Sequence, residues 1–95
     1  MPADTPQIII YSTSWCGFCH SEKQYLDRLG IPYIDKDVEQ DEAAYTELMQ
    51  KINGQYQGVP MTDIGGDMIL GFDREAINEA IKRHGITPTE QPQAA

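Results

Sequence analysis

The chain has 95 residues, of which 40% are hydrophobic and 23% charged, a composition typical of one compact soluble domain. Its formal net charge of −8 disfavours nucleic acid or an anionic membrane as a partner, because both require a basic protein surface. No apolar run approaches the roughly 18 residues of a membrane span, and residues 1–6 lack the features of a signal peptide. Two cysteines are too few for a secreted disulfide scaffold, so we expect a cytoplasmic protein.

The first third of the chain predicts a strand, a helix and a second strand. Residues 7–11 form a short β-branched run, which is typical of a strand buried on both faces. A helix is expected from residue 16 or 17 to residue 29, with Leu26 and Leu29 facing inward. Residues 33–37 predict the next strand. The two strands should lie parallel, joined by a right-handed crossover.

A second helix and a hairpin are expected next. Asp41 is a suitable helix cap, and the spacing of the following apolar residues predicts an inward face made of Tyr45, Leu48, Met49 and Ile52. Residues 61–64 and 68–72 predict two short strands around a tight turn at Gly65-Gly66-Asp67.

The chain is expected to close with a third helix. Asp73 would cap it, with Ile77, Ala80 and Ile81 facing inward and Gly85 ending it. Residues 86–95 carry two prolines and no periodicity, so we expect a flexible tail after a domain of residues 7–85, with residues 1–6 as an N-terminal extension. The order βαβαββα predicts an α/β fold.

Both cysteines lie in the segment Trp15-Cys16-Gly17-Phe18-Cys19-His20, where a buried strand gives way to a helix. In a reducing compartment this spacing indicates a redox pair. The first cysteine falls at the helix N-terminus, where free N–H groups and the positive end of the helix dipole stabilise a thiolate. The second lies one turn later on the same side, and it should be less exposed. We therefore predict Cys16 as the nucleophile and Cys19 as the resolving cysteine.

Three segments together resemble the glutaredoxin family over residues 7–84: the cysteine segment, Gly58-Val59-Pro60 and Gly71-Phe72-Asp73. The resemblance implies a thioredoxin-like fold with a mixed four-stranded sheet and three helices. It also implies a thiol–disulfide oxidoreductase that reduces protein disulfides and glutathione mixed disulfides, with glutathione as co-substrate and no metal. We expect a monomer.

The resemblance also implies roles for residues outside the cysteine pair. Pro60 would be cis, which would turn the backbone of Val59 toward the sulfurs to pair with a peptide-like substrate. Phe72 and Asp73 resemble the second glutathione contact of the family, at a helix N-terminus that could hold a carboxylate. Trp15 and Phe18 flank the first sulfur, and we interpret them as a partly exposed apolar rim that contacts substrate.

The chain departs from the family pattern in its glutathione-binding positions. Thr13 stands where many glutaredoxins have a basic residue, and Gly17 replaces the usual proline after the first cysteine. Lys51, Asn53 and Gln57 are candidates to supply the missing carboxylate anchor. A redoxin reduced by thioredoxin reductase is therefore the first alternative. A glutathione-dependent [2Fe–2S] cluster carrier is the second, because Cys-Gly-Phe resembles the monothiol cluster-binding branch.

Two other interpretations of the cysteine motif are weaker. Half of a zinc site would require His20 and His84 as the remaining ligands, because the chain has no second cysteine pair. The sequence also satisfies the haem-attachment pattern C-x-x-C-H, but the α/β pattern and the missing export signal disfavour that interpretation. His20 is better interpreted as a surface residue.

Overall fold

The computed structural model describes residues 7–86, so the predicted extension at residues 1–6 and residues 87–95 of the predicted tail lie outside the described residues. The predicted order βαβαββα is confirmed. Its elements are β1 Ile8–Ser12, α1 Gly17–Leu29, β2 Ile34–Asp37, α2 Glu42–Lys51, β3 Met61–Ile64, β4 Asp67–Leu70 and α3 Arg74–Arg83.

The four strands form one mixed sheet in the order β2-β1-β3-β4. As predicted, β1 and β2 are parallel, while β3 is antiparallel to both of its neighbours. Tyr11 pairs with Met61, and Met61 pairs with Leu70. The end of β1, the start of β3 and the end of β4 therefore meet at one edge of the sheet, which we call the cysteine edge. The segments that carry the cysteines, Pro60 and Asp73 all adjoin it.

Helices α1 and α3 cover one face of the sheet with an apolar cluster, whose buried members are Ile8, Ile10, Leu26, Ile31, Ile64, Ile69, Ile77, Ala80 and Ile81. The predicted inward face of α3 is confirmed. The prediction for Leu29 was wrong, because this side chain is exposed. Gly30 turns the chain with a φ of 73° after the last turn of α1, and Ile31 fills the inward position instead.

Helix α2 covers the other face with a smaller cluster, whose buried members are Tyr11, Val38, Ala44, Leu48 and Met61. Met49 and Ile52 pack partly against it. The prediction for Tyr45 was wrong, because Ala44 and Leu48, four residues apart, take the inward positions. Tyr45 is exposed and contacts Tyr56, with ring centroids 6.5 Å apart.

Strand β4 ends earlier than predicted, whereas α3 ends as predicted, with Gly85 in the left-handed region at a φ of 66° directly after its C-cap His84. Strand β4 stops at Leu70, because Gly71 has a φ of 80° and donates its N–H to the carbonyl oxygen of Pro60 at 2.8 Å. Helix α3 ends at Arg83, one turn of chain before Ile86, which packs partly against the α1/α3 cluster.

Among residues 7–86, no helix is both long and apolar enough to cross a membrane.

Candidate active site

Cys16 and Cys19 are joined as a disulfide, with their Cα atoms 5.2 Å apart. The strand β1 delivers the chain to the cysteine edge, and Ser14 and Trp15 form the turn before α1. Cys16 is 5% exposed and Cys19 is completely buried. Cys16 is therefore the more exposed of the two residues, which is the order of exposure expected of a nucleophile and a resolving cysteine.

Cys16 is the N-cap of α1, and its sulfur accepts a hydrogen bond from the Cys19 N–H at 3.0 Å. The other two helices are capped by carboxylates, those of Asp41 and Asp73. The first turn of α1 contains no acidic residue, so nothing there offsets the positive end of its dipole. In the dithiol form a thiolate at Cys16 would occupy the place that a carboxylate occupies in α2 and α3, which is the environment that lowers a cysteine pKa.

Two large aromatic residues precede the cysteines in the sequence, Trp15 directly before Cys16 and Phe18 directly before Cys19. Trp15 is 68% exposed and Phe18 is 70% exposed, as the predicted apolar rim requires. The Trp15 indole N–H is shared between both carboxylate oxygens of Glu39, at 3.0 and 3.1 Å. The predicted rim thus exposes two rings, one of which is hydrogen-bonded to an acidic side chain.

The Val59–Pro60 peptide bond is cis, as the family resemblance implied. Pro60 is buried at the start of β3, and Val59 packs partly against the α2 cluster. Because Tyr11 pairs with Met61, the sheet register brings Pro60 to the same edge as the turn that leads to Cys16.

Phe72 and Asp73 lie where β4 passes into α3. Phe72 is half-buried against Tyr25, with ring centroids 5.7 Å apart. The Asp73 carboxylate accepts the Ala76 N–H at 3.1 Å, and the Asp73 N–H is donated to the Gly71 carbonyl. Asp73 is therefore the cap of α3, as predicted, and its own negative charge occupies the helix N-terminus that could otherwise hold a ligand carboxylate.

The glutaredoxin family model matches residues 8–69 of the chain. The chain belongs to the glutaredoxin family. It is 36% identical over 76 residues to an uncharacterised glutaredoxin-like 8.6 kDa protein in the rubredoxin operon of Clostridium pasteurianum, an alignment that covers 80% of this chain and 99% of that protein. Family membership supports thiol–disulfide oxidoreductase chemistry at the Cys16–Cys19 pair.

Solved structures agree with this assignment and with the thioredoxin-like fold. A buckwheat glutaredoxin–glutathione complex is similar with a TM-score of 0.65 and 27% identity, over 86% of this chain and 82% of that one. The thioredoxin-like protein BC3987 is similar with a TM-score of 0.71 and 26% identity, over 78% of this chain and 99% of that one.

Of the three candidates for the carboxylate anchor of glutaredoxins, Asn53 and Gln57 are exposed, whereas the Lys51 ammonium is held by other side chains. Thr13 is buried, and its hydroxyl has no hydrogen-bond partner among the described residues. The Lys51 ammonium donates to the Tyr11 hydroxyl at 2.7 Å and to Asp63 at 2.6 Å. Although desolvation favours the neutral form, the hydrogen bonds that the ammonium donates to Asp63 and Tyr11 raise the pKa of Lys51 above its ordinary value. The Lys51 ammonium is thus bound by Asp63 and Tyr11 on the face of the sheet that α2 covers.

Sequence reasoning missed Glu22, a completely buried carboxyl group on the active-site helix. One of its oxygens accepts the Thr62 hydroxyl at 2.5 Å, and the other has no partner among the described residues. Burial raises its pKa to about 7, although the bond from Thr62 opposes that shift. The helical spacing of Cys19, Glu22 and Leu26 could have indicated its burial, because it places all three on one side of α1, which is the buried side.

The two histidines lie apart from one another. His20 is exposed, and its ring contacts the Ser14 carbonyl at 3.1 Å. His84 bonds to Asp67 at 2.9 Å, and Asp67 begins β4 at the edge of the sheet opposite the cysteines. Among residues 7–86, no group of three or more metal-binding side chains is placed to hold a metal ion.

Proposed function

We propose that this glutaredoxin reduces protein disulfides and glutathione mixed disulfides through Cys16 and Cys19. The observation that carries the proposal is the position of the Cys16 sulfur, which caps α1 and accepts the Cys19 N–H. A thiolate formed there is stabilised by the helix N-terminus and leaves readily from a mixed disulfide.

The reaction takes place in two exchanges. The Cys16 thiolate attacks one sulfur of the substrate disulfide, forms a mixed disulfide and releases the first substrate thiolate. The Cys19 sulfur then attacks the Cys16 sulfur, closes the intramolecular disulfide and releases the second. Glutathione or a reductase returns two electrons to the pair.

The surroundings of the pair fit a peptide-like substrate. The exposed rings of Trp15 and Phe18 provide apolar contact beside the sulfurs. The backbone of Val59, before Pro60 at the cysteine edge, would pair in β fashion with an extended substrate segment. Phe72 and Asp73 would form the outer border of this surface.

Reduction by thioredoxin reductase is a second candidate that the site supports. Glutathione is anionic, and among the described residues the positions considered for its anchor offer no free cation, since Thr13 is buried, Lys51 binds Asp63 and Tyr11, and Asn53 and Gln57 are uncharged. Asp73 adds negative charge at the N-terminus of α3. We therefore expect weaker saturation by glutathione than a typical glutaredoxin exhibits.

The test is a reduction assay on a protein disulfide and on a glutathione mixed disulfide. Each is run in parallel with glutathione plus its reductase and with thioredoxin reductase. Cys16→Ser should abolish turnover of both substrates. Cys19→Ser, the matched control, should keep some turnover of the glutathione mixed disulfide and lose efficient reduction of the protein disulfide, because its intermediate is not resolved internally. Activity that survives Cys16→Ser would contradict the proposal, and the faster donor identifies the reductant class.

A further inference from the structure

The active-site helix carries an acid whose burial the two-cysteine mechanism does not explain. Among residues 7–86, two buried side-chain polar atoms lack a hydrogen-bond partner, the Thr13 hydroxyl and one carboxyl oxygen of Glu22. They lie three residues before Cys16 and three residues after Cys19. A buried carboxyl group without a cation destabilises a fold, so an apolar residue at position 22 would give a more stable helix–sheet contact.

Glu22 faces an apolar part of the sheet. Its one hydrogen-bond partner within residues 7–86, Thr62, lies in the middle of β3, between Ile10 of β1 and Ile69 of β4. These isoleucines belong to the cluster under α1 and α3. Neither β3 nor β4 places a charge beside the carboxyl group there.

The titratable groups on this side of the sheet have other partners. Lys23, the next residue on α1, pairs with Asp35 of β2 at 2.7 Å. Tyr25 donates to Asn78 of α3 at 2.6 Å and lies under the guanidinium of Arg74. Tyr33 precedes β2 and packs against the edge of the cluster, while Asp67 and His84 pair at the opposite edge of the sheet. None of these groups hydrogen-bonds to Glu22 or shifts its pKa through its charge.

Glu22 is placed next to Cys19. Residues three apart on a helix are neighbours on its surface, and helical side chains lean toward the N-terminus, which carries the Glu22 carboxyl group toward the sulfur one turn before it. Cys19 is completely buried, so its thiol has no direct route for losing a proton to bulk water. In the disulfide form Cys19 has no proton to donate, which accounts for the carboxyl oxygen that lacks a partner in this structure.

We propose that Glu22 accepts the proton of the Cys19 thiol when Cys19 resolves the mixed disulfide on Cys16. The inference rests on the proposed function and adds a proton acceptor to its second exchange. The bond between Cys16 and the substrate sulfur breaks, the Cys16–Cys19 bond forms, the substrate leaves as a thiolate, and Glu22 becomes protonated. When a donor reduces the disulfide, the proton returns from Glu22 to Cys19.

The chemistry suits this task. A general base works best when its pKa lies near the working pH, and burial brings the pKa of Glu22 to about 7. The Thr62 hydroxyl holds one oxygen, which fixes the carboxyl group and leaves the other oxygen for the thiol proton.

The experiment follows the two exchanges separately. The reduced protein is mixed with one equivalent of an aryl disulfide whose thiolate product is coloured. The first release of colour reports the attack of Cys16, and the second reports resolution by Cys19. Both phases are measured from pH 5.5 to 9.5 or so, a range that spans the pKa of Glu22 and the ordinary cysteine pKa of about 8.5.

Glu22→Gln keeps the shape of the side chain and an oxygen for Thr62, and removes the proton acceptor. We expect its second phase to be at least about tenfold slower near pH 7, because a general base typically contributes about 10²–10⁴-fold, while its first phase stays within about twofold of the wild type. The second phase of the wild type should rise with pH through an inflection near 7 that the variant lacks. The two proteins should converge at high pH, where Cys19 ionises without help.

A second phase of Glu22→Gln equal to that of the wild type would overturn the inference. If the variant fails to fold, the wild-type profile alone still decides, because a second phase that rises only around the ordinary cysteine pKa of about 8.5 is incompatible with Glu22 as acceptor. Failure of the proposed function gives a different result, which is the absence of the first release from the wild type or its survival in Cys16→Ser.

Discussion

The two faces of the sheet each bury a carboxyl group, but they provide it with different partners. Under α2, Asp63 receives the Lys51 ammonium at 2.6 Å and the Gly66 N–H at 2.8 Å. Under α1, Glu22 receives one hydroxyl bond and no cation from the part of the chain that the structure describes. The Lys51 ammonium compensates the negative charge of Asp63. Glu22 lacks such a partner among the described residues, so ionisation of its carboxyl group is energetically unfavourable.

The network under α2 has the features of a structural support. Tyr11 donates its hydroxyl proton to Glu47 and accepts a bond from Lys51, while Lys36 donates to Glu47 at 2.9 Å. These bonds, chiefly that from Tyr11, lower the pKa of Glu47 below its ordinary value. Burial and the bond to Glu47 raise the pKa of Tyr11 to about 12. Tyr11, Glu47 and Lys51 therefore each keep one charge state through the neutral range, whereas Glu22 changes its charge there.

The largest effect expected from this difference is a pH-dependent loss of stability that depends on Glu22. Its pKa is about 7 in the folded protein and 4.5 ordinarily, so the folded state holds a proton that the unfolded state has released between these values. The stabilisation is complete below pH 4.5 and is lost as the pH rises toward 7. The loss should be about 3 kcal/mol in the free energy of unfolding.

Urea unfolding of the oxidised protein measures this loss, because the disulfide-bonded cysteines do not titrate. Glu22→Gln is the control, since it retains every other acid of this strongly negative chain. From acid to neutral pH, the free energy of unfolding of the wild type should fall by about 3 kcal/mol relative to that of the variant. A difference that stays constant across this range would mean that Glu22 is ionised in the folded protein throughout.

Local signals in the sequence were sufficient for the fold and for the cysteine pair. Each helix cap accepts a bond from a backbone group two or three residues away, as Asp41, Asp73 and Cys16 do. Their roles can therefore be predicted from a short stretch of sequence. Helical periodicity was less reliable for deciding which of two neighbouring positions faces inward. It assigned Tyr45 to the core where Ala44 lies, and Leu29 where Ile31 lies.

The polar interior could not be predicted in this way. Glu22 and Thr62 are 40 residues apart, and so are Tyr11 and Lys51. Whether an acid on a helix is solvated or buried depends on the strand that packs against it, and a single sequence does not specify that contact. The same gap made Lys51 look available for glutathione.

A smaller effect is expected from breaking the paired network. Lys51→Met removes the cation and leaves Asp63 buried with one remaining backbone donor. We expect it to lower the free energy of unfolding by about 2 kcal/mol at neutral pH, a value reduced for the partial exposure of Lys51. The apparent Michaelis constant for glutathione should not change, because the ammonium is committed to Asp63 and Tyr11.

Lys36→Met is the matched control for this variant. Lys36 bonds only to Glu47 among the described residues, and both side chains are about one-third exposed, so its removal should cost less than about 1 kcal/mol. Equal losses in the two variants would mean that burial of Asp63 does not distinguish the pairs. A raised Michaelis constant in Lys51→Met alone would identify Lys51 as a glutathione contact.

The smallest expected effect compares two buried threonines, Thr13 and Thr62. The Thr62 hydroxyl donates to Glu22, so Thr62→Val should lower the free energy of unfolding by about 1 kcal/mol. The Thr13 hydroxyl has no partner among the described residues, so Thr13→Val removes a desolvated polar group and loses no bond. Because valine has the same shape, Thr13→Val should raise the free energy of unfolding of the oxidised protein by up to about 1 kcal/mol. Urea unfolding measures both variants. The changes in the free energy of unfolding should have opposite signs if the hydrogen bonding of each hydroxyl, rather than its burial, determines its contribution to stability. If both variants lose stability equally, a buried water bonds to Thr13, and its hydroxyl belongs with the paired groups.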